Sequence, residues 1–272
     1  MIINGKQISE EIKNALKAEV AKLARAPQLD IVYAGDDPVI ENFLKIKMRF
    51  GKEIGVKTIV HLFSETIPEE TLLSIIDKIK TDQNSNGIII QLPLPNGINV
   101  QKVLNAVPPE KDVDVLSDEA FELFVKHNDA NIPPVAGAFM EILERNNVEV
   151  QGKKVVIMGR GKLVGKPFKV CMQKAGAEIV ELNSTTGDPT EYLRAAGIIA
   201  VGIGKPHFIK PGMIRRGAIL LDGGTSEENG KVVGDADPSC ADKCSIFTPV
   251  PGGIGPITVA LLFRNLIKSI KS

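Results

Sequence analysis

Residues 155–167 read VVIMGRGKLVGKP. The apolar run predicts a buried strand, KKVVIMG at 153–159, because a short continuous apolar stretch bounded by glycine reads as a strand covered on both faces. Gly159, Gly161 and Gly165 then predict a tight turn into a helix from Leu163 to Ala175. Glycines at such a turn bring backbone amides close to a diphosphate, and the following helix N-terminus favours the anion. The spacing is GxGxxxG rather than GxGxxG, and a plain strand–helix turn could carry the same glycines. The apolar flank before and the helical flank after supply the context that a dinucleotide site requires.

Working outward, the same alternation continues. EIVELN at 178–183, GIIAVG at 197–202 and AILLDGG at 218–224 read as strands, with a helix from Pro189 to Ala196 and an edge segment, KVVGDAD, at 231–237. Towards the N-terminus, Ser9 is placed to cap a helix running to about Ala26, with Ile12, Leu16, Val20 and Leu23 on one stripe. LDIVYAG at 29–35, a helix after Pro38, KTIVHLF at 57–63, a helix from Pro68 and GIIIQLPLP at 87–95 follow as βαβαβ. Between the two series, Val107 to Pro134 is rich in Pro, Asn and Asp and holds one helical piece, DEAFELFVK. The fold class expected is α/β with two domains. Residues 1–118 and 256–272 form an N-terminal α/β substrate domain, and 119–255 a C-terminal Rossmann-like dinucleotide domain. The last helix, Pro256 to Ser272, is expected to return to the first domain.

Acidic and basic residues balance at 33 each, so no basic excess points to nucleic acid. No apolar run approaches the roughly 18 residues a membrane helix needs, and MIINGKQISE lacks a basic-then-apolar signal. Three cysteines, an odd number, suit a reducing cytoplasm better than a disulfide framework. Cys240 and Cys244 lie near Asp235 and Asp237 but have no second Cys/His pair, so no metal is expected.

An NAD site usually ends its second strand in a carboxylate that accepts from the ribose 2′-hydroxyl. Here that end reads Asn183, Ser184, Thr185, Thr186, with Glu181 two residues before Asn183. Arg160 and Ser184 can instead meet a 2′-phosphate, so the cofactor expected is NADP. In the first half, Ile40, Phe43 and Lys47 fall on one helical face. A lysine held against apolar surface is pushed towards its neutral form, which suits proton transfer, although its neighbours Lys45, Arg49 and Lys52 suggest a solvated face. Gln91 ends a buried strand, where open α/β sheets hold ligands; an amide satisfying loop carbonyls would look the same. Asp112 and Asp114 in PPEKDVDV are both candidates to hold an amine or amide donor. TPVPGGIGPIT at 248–258 is a stiff Pro/Gly loop able to lie flat against a planar ligand. His61, His127 and His207 fall in unrelated segments, so no triad is indicated.

Taken together, GDDP at 35–38, Lys47, QLPLP at 91–95, PEKDVD at 109–114, GRGKLVGKP at 159–167, GKP at 204–206 and TPVPGGIGPIT at 248–258 resemble the bifunctional methylenetetrahydrofolate dehydrogenase/methenyltetrahydrofolate cyclohydrolase family over essentially the whole chain. The resemblance implies NADP-dependent oxidation of 5,10-methylenetetrahydrofolate and hydrolysis of the methenyl product to 10-formyltetrahydrofolate. It implies Lys47 as the catalytic lysine, Gln91 as its hydrogen-bonded neighbour and Asp114 as the carboxylate holding the pterin, packed on Phe43, with Pro251, Gly252 and Gly253 against the substrate. Gly159, Arg160, Gly161, Gly165, Ser184 and Thr225 fall at cofactor-contacting positions. Family members are commonly cytoplasmic homodimers, with the folate cleft between the domains, and supply purine biosynthesis. The chain departs from the family pattern at Phe43 (usually Tyr), Ile40 (usually Ser), Pro133, Pro134, Val135 and Ala136 (usually PCTP), Gly161 (usually Ser) and Asn183 (usually His). Phe43 lacks a hydroxyl that bears on hydrolysis. Two alternatives are therefore a dehydrogenase without the hydrolase, and a non-catalytic NADP-binding sensor.

Overall fold

The computed structural model describes residues 1–228 and 230–271. Its contacts divide the chain into one unit of Glu10–Pro133 with Val259–Ser272 and another of Met1–Ser9 with Pro134–Thr258. These contact-based bounds differ from the sequence-derived boundaries, 118/119 and 255/256, and count the helix at 118–126 with the first unit. Ser272 lies outside the described residues.

The first unit is built as follows. Helix α1 (Gly5–Val20), which counts with this unit from Glu10 onward, leads into β1 (Gln28–Ala34), α2 (Pro38–Ile54), β2 (Lys57–Phe63), α3 (Glu69–Thr81) and β3 (Ser85–Ile90). Short helices α4 (Val100–Leu104) and α5 (Asp118–Lys126) follow. The strands form a parallel sheet in the order β2-β1-β3. Central β1 is buried along its whole length, whereas edge strand β2 is largely part-exposed. Asp30, buried in β1, is satisfied by His61 Nε2 at 2.8 Å and Gln28 Nε2 at 3.0 Å, as a buried carboxylate requires. Val32, Leu72, Ile76, Ile88, Ile90, Val103 and Leu104 join in one apolar cluster.

Two expectations for α1 are corrected. The helix starts at Gly5, where Asn4 Oδ1 accepts from the Gln7 amide at 3.2 Å, so Ser9 lies inside the helix and is buried. The helix stops at Val20 rather than Ala26.

The second unit opens with α6 (Pro134–Arg145), unread in the sequence because its apolar residues follow a Pro-rich stretch. It continues with β4 (Lys154–Met158), α7 (Gly165–Lys174), β5 (Glu178–Leu182), α8 (Thr190–Ala195), β6 (Ile198–Val201), β7 (Ile219–Asp222), β8 (Ser226–Glu228), β9 (Lys231–Val233) and β10 (Ile246–Phe247). Five parallel strands are ordered β10-β7-β6-β4-β5. The order reverses between β4 and β6, and ligands of open α/β sheets bind beyond the strand ends at such a switch point. The expected edge segment at 231–237 does not join this sheet: β9 pairs antiparallel with β8, and the sheet's edges are β10 and β5. Phe139 of α6 meets Phe168 of α7 edge-on at 5.0 Å.

The last helix, α9 (Ile254–Lys271), counts with the first unit from Val259 onward. There Phe263 stacks on Phe50 at 5.1 Å, and a Cβ at Gly51 would lie 3.2 Å from the Phe263 ring.

Candidate active site

In the first unit, the chain enters α2 through a fixed corner. The Asp37 amide donates to Tyr33 Oη at 2.8 Å, Asp37 Oδ1 accepts from the Val39 amide at 2.7 Å, and Pro38 begins the helix. A side-chain acceptor at the N-cap and proline in the first turn both favour that start. The helix carries Ile40, Phe43 and Lys47, all partly buried, along one face. From the neighbouring sheet, the Gln91 amide extends the ladder of β3 by donating to Val32 O at 2.9 Å. Gln91 Nε2 donates to Leu92 O at 2.8 Å, which turns Oε1 towards Lys47, and Lys47 Nζ donates to that oxygen at 2.9 Å. The Leu92–Pro93 peptide beside it is cis.

Asp114 completes the group. Burial holds the Lys47 ammonium below the usual lysine range, and the Asp114 carboxylate opposes that shift. Burial likewise raises the Asp114 carboxyl above its usual range, with Lys47 opposing. Both residues keep partial access to solvent. The two aspartates differ in their partners. Asp112 is buried, and its Oδ2 accepts from the amides of Leu116 at 2.9 Å and Ser117 at 2.7 Å, so it serves the backbone. Asp114 is the carboxylate coupled to the lysine.

In the second unit, the glycine turn lies at the switch point. Gly159 has φ +105° and a Cβ there would meet Gly202 O at 2.5 Å, while one at Gly165 would meet Gly159 O at 1.8 Å. Gly202 in turn makes room for Val164, whose side chain would lie 2.7 Å from a Cβ there. The turn is therefore packed backbone against backbone. Around Gly161 a Cβ would meet nothing within 4 Å, and α7 begins with no side-chain cap. Open space beside a helix start that lacks a side-chain cap suits a diphosphate, so the residues present fit the nucleotide.

Arg160, Ser184 and Thr225 are exposed in the same unit. Strand β5 ends at Leu182, and Glu181 is paired with Lys169 of α7. The tip is shaped instead by Asn183, whose Oδ1 accepts from Thr185 N at 2.8 Å and Thr185 Oγ1 at 2.6 Å. The strand-end carboxylate typical of an NAD site is thus absent from the tip.

Pro251, Gly252 and Gly253 also fall in this unit. Gly252 O accepts from the Gly5 amide at 2.9 Å, and a Cβ at Gly5 would overlap the backbone carbonyl of Gly253. The Val250–Pro251 peptide is cis.

Sequence reasoning missed a pair of buried carboxylates beyond β6 and β7. Asp235 accepts from the amides of Ile203 at 2.6 Å, Gly204 at 3.2 Å and Lys205 at 2.7 Å. Asp222 accepts from Gly224 at 2.8 Å and Ala236 at 2.8 Å, and its carboxyl is pushed up to about 6 by burial, with Asp235 adding to the rise. The available signal was an aspartate beside glycine in both LLDGG and VVGDAD. A Cβ at Gly224 or Gly234 would strike the Asp235 or Asp222 carboxylate. Among the described residues, no group of His, Cys, Asp or Glu is arranged to hold a metal.

Comparison with known proteins also finds two domains. Residues 3–114 match the tetrahydrofolate dehydrogenase/cyclohydrolase catalytic domain, and residues 133–272 match the NAD(P)-binding domain of the same family. The bifunctional protein FolD of Nautilia profundicola is 38% identical over 100% of this chain and 97% of its own. A crystal structure of the bifunctional FolD dehydrogenase/cyclohydrolase from Campylobacter jejuni is 32% identical, with TM-score 0.96 over 100% of this chain and 98% of that one. The Trypanosoma brucei enzyme, solved with NADP and an inhibitor, is 27% identical with TM-score 0.95, over 100% and 97%. Matches of residues 3–114 and 133–272 to the two domains of one family, together with a 38% identical relative covering the whole chain, place the chain in the tetrahydrofolate dehydrogenase/cyclohydrolase family.

Proposed function

We infer that this chain performs both reactions of its family: NADP-dependent oxidation of 5,10-methylenetetrahydrofolate, then hydrolysis of the methenyl product to 10-formyltetrahydrofolate. The observation that carries the reading is the 2.9 Å bond from Lys47 Nζ to Gln91 Oε1, with the Asp114 carboxylate coupled to the same lysine. Asp114 holds the pterin through its amine and amide donors, and Phe43 offers a ring face for packing. NADP, when bound, supplies the hydride acceptor. Positioning is most of what oxidation needs, because lone pairs on the folate nitrogens stabilise the cation left at the one-carbon bridge. Gly159, Arg160, Gly161, Gly165, Ser184 and Thr225 bind the nucleotide, with Arg160 and Ser184 on the 2′-phosphate. The pairing of Glu181 with Lys169 supports the phosphorylated cofactor over NAD.

Hydrolysis adds water to the electrophilic methenyl carbon. Lys47 in its neutral form takes a proton from that water, and a ring nitrogen is protonated as its bond to the carbon breaks. Gln91 directs the lysine by accepting its N–H. The intact Lys47–Gln91 pair favours hydrolysis over a dehydrogenase alone, and the side chains assembled for chemistry favour an enzyme over a sensor. Lys47→Met is expected to slow enzymatic hydrolysis by about 100-fold or more while leaving NADP affinity unchanged, measured by methenyl decay in the near ultraviolet and by nucleotide titration. Hydrolysis at the wild-type rate would remove Lys47 from this role.

The enzyme is further read as a cytoplasmic homodimer supplying one-carbon units for purine biosynthesis. Support for the dimer is edge strand β2, which presents Leu62 at 60% exposure.

A further inference from the structure

Asn265 lies inside α9 and is 6% exposed. Asparagine is a mediocre residue for a helix interior, since its amide competes with the backbone for hydrogen bonds. Here the amide works across the fold: Nδ2 donates to Val113 O at 2.9 Å and to Ile132 O at 2.8 Å. Val113 immediately precedes Asp114, and the residue after Asp114, Val115, has φ +57°. A left-handed β-branched residue is strained and persists only where its surroundings hold it.

Both flanks of Asp114 are held. On the C-terminal side, the Asp112 carboxylate takes the amides of Leu116 and Ser117. On the N-terminal side, Asn265 takes the Val113 carbonyl, and Val113 packs so closely that a Cβ at Gly87 would lie 2.7 Å from both Val113 Cγ1 and Leu266 Cδ1. The second proton of the same amide fixes Ile132. Asn131 Nδ2 to Ser269 Oγ at 2.9 Å and Lys268 Nζ to Ala130 O at 2.7 Å fasten the neighbouring residues to the same helix.

We propose that Asn265 is a positioning residue for folate: it clamps the Val113 carbonyl so that the strained Asp114–Val115 peptide presents the Asp114 carboxylate to the pterin. The inference rests on the reading of Asp114 as the pterin-binding carboxylate. Loss of the amide leaves the buried Val113 carbonyl without this donor and lets the segment relax, so the effect falls on folate affinity and not on the nucleotide.

The test is a double-mutant cycle read by tetrahydrofolate titration, with NADP titration on every variant. Asn265→Ala is expected to weaken tetrahydrofolate binding by about tenfold and to leave NADP binding unchanged. In an Asp114→Ala background the same substitution is expected to add little, because residues acting through one contact are not additive. Should Asn265→Ala not yield folded protein, Asn265→Ser, which keeps one hydroxyl donor, runs the same cycle with a smaller loss expected. Equal losses in both backgrounds, or a parallel loss of NADP affinity, would overturn the positioning role. If Asp114→Ala alone leaves tetrahydrofolate affinity intact, the reading of Asp114 falls first, and that result is separate from either failure of Asn265.

Discussion

Lys47 and Asp114 pull each other's ionisation in opposite directions to their burial. Burial dominates for both, so the lysine loses its proton below the usual 10.5 and the carboxyl keeps its proton above the usual 3.8. The functional forms are the neutral amine for hydrolysis and the carboxylate for binding. Hydrolysis should therefore rise with pH and reach its plateau below pH 10.5, while folate binding should weaken on acidification at a pH above 3.8. A pH profile of hydrolysis at saturating methenyl substrate checks the first limb, since saturation removes the binding term. Lys47→Arg, which cannot become neutral in this range, should abolish the alkaline rise. A rise that survives in that variant assigns it to another group. The sequence made Lys47 a candidate by its place on an apolar helical face, but charged neighbours at Lys45, Arg49 and Lys52 masked its burial. Only the fold brings Gln91, 44 residues away, to its Nζ. Local pattern left Asp112 and Asp114 equal candidates and only the family resemblance singled out Asp114, whereas in the fold the backbone amides of Leu116 and Ser117 occupy Asp112.

At the scale of elements, the glycine turn was the most legible feature, since a strand, a turn and a helix adjoin in sequence. What the sequence could not show was that the turn closes on Gly202 from the next crossover and that Val164 fills the gap. Gly165→Ala tests that packing. Its Cβ would lie 1.8 Å from Gly159 O, a backbone atom with no rotamer to change. Overpacking of this kind typically destabilises by about 1–3 kcal/mol, and NADP affinity should fall with it, read by thermal unfolding with and without nucleotide. Full NADP affinity and unchanged stability would show the turn to be loose. The errors in element reading share one cause. Ser9 looked like a cap by its type, yet Asn4 precedes it and the Gly252 carbonyl receives the Gly5 amide. The segment at 231–237 looked like a sheet edge by its apolar residues, yet its partner is the adjacent Ser226–Glu228. In each case a contact from elsewhere in the chain, or a closer neighbour, outweighed local pattern.

For the whole molecule, alternation of strands and helices gave the α/β class and two domains, and α9 does count with the first unit from Val259 onward. The boundaries were harder, because α5 and the Pro-rich stretch after it carry no compositional break that separates linker from domain. If the edge of β2 is the homodimer interface, Leu62→Glu should shift sedimentation from dimer to monomer at micromolar concentration, because like charges would face each other across a two-fold contact. An unchanged dimer would move the interface elsewhere.

The most direct measurement follows one reaction at two signals. Wild-type enzyme is given 5,10-methylenetetrahydrofolate and NADP, and reduced nucleotide and methenyl absorbance are recorded together. The expected result is steady production of reduced nucleotide with methenyl product consumed faster than its spontaneous decay. Reduced nucleotide accompanied by methenyl that decays only at the spontaneous rate would contradict a chain that both oxidises and hydrolyses.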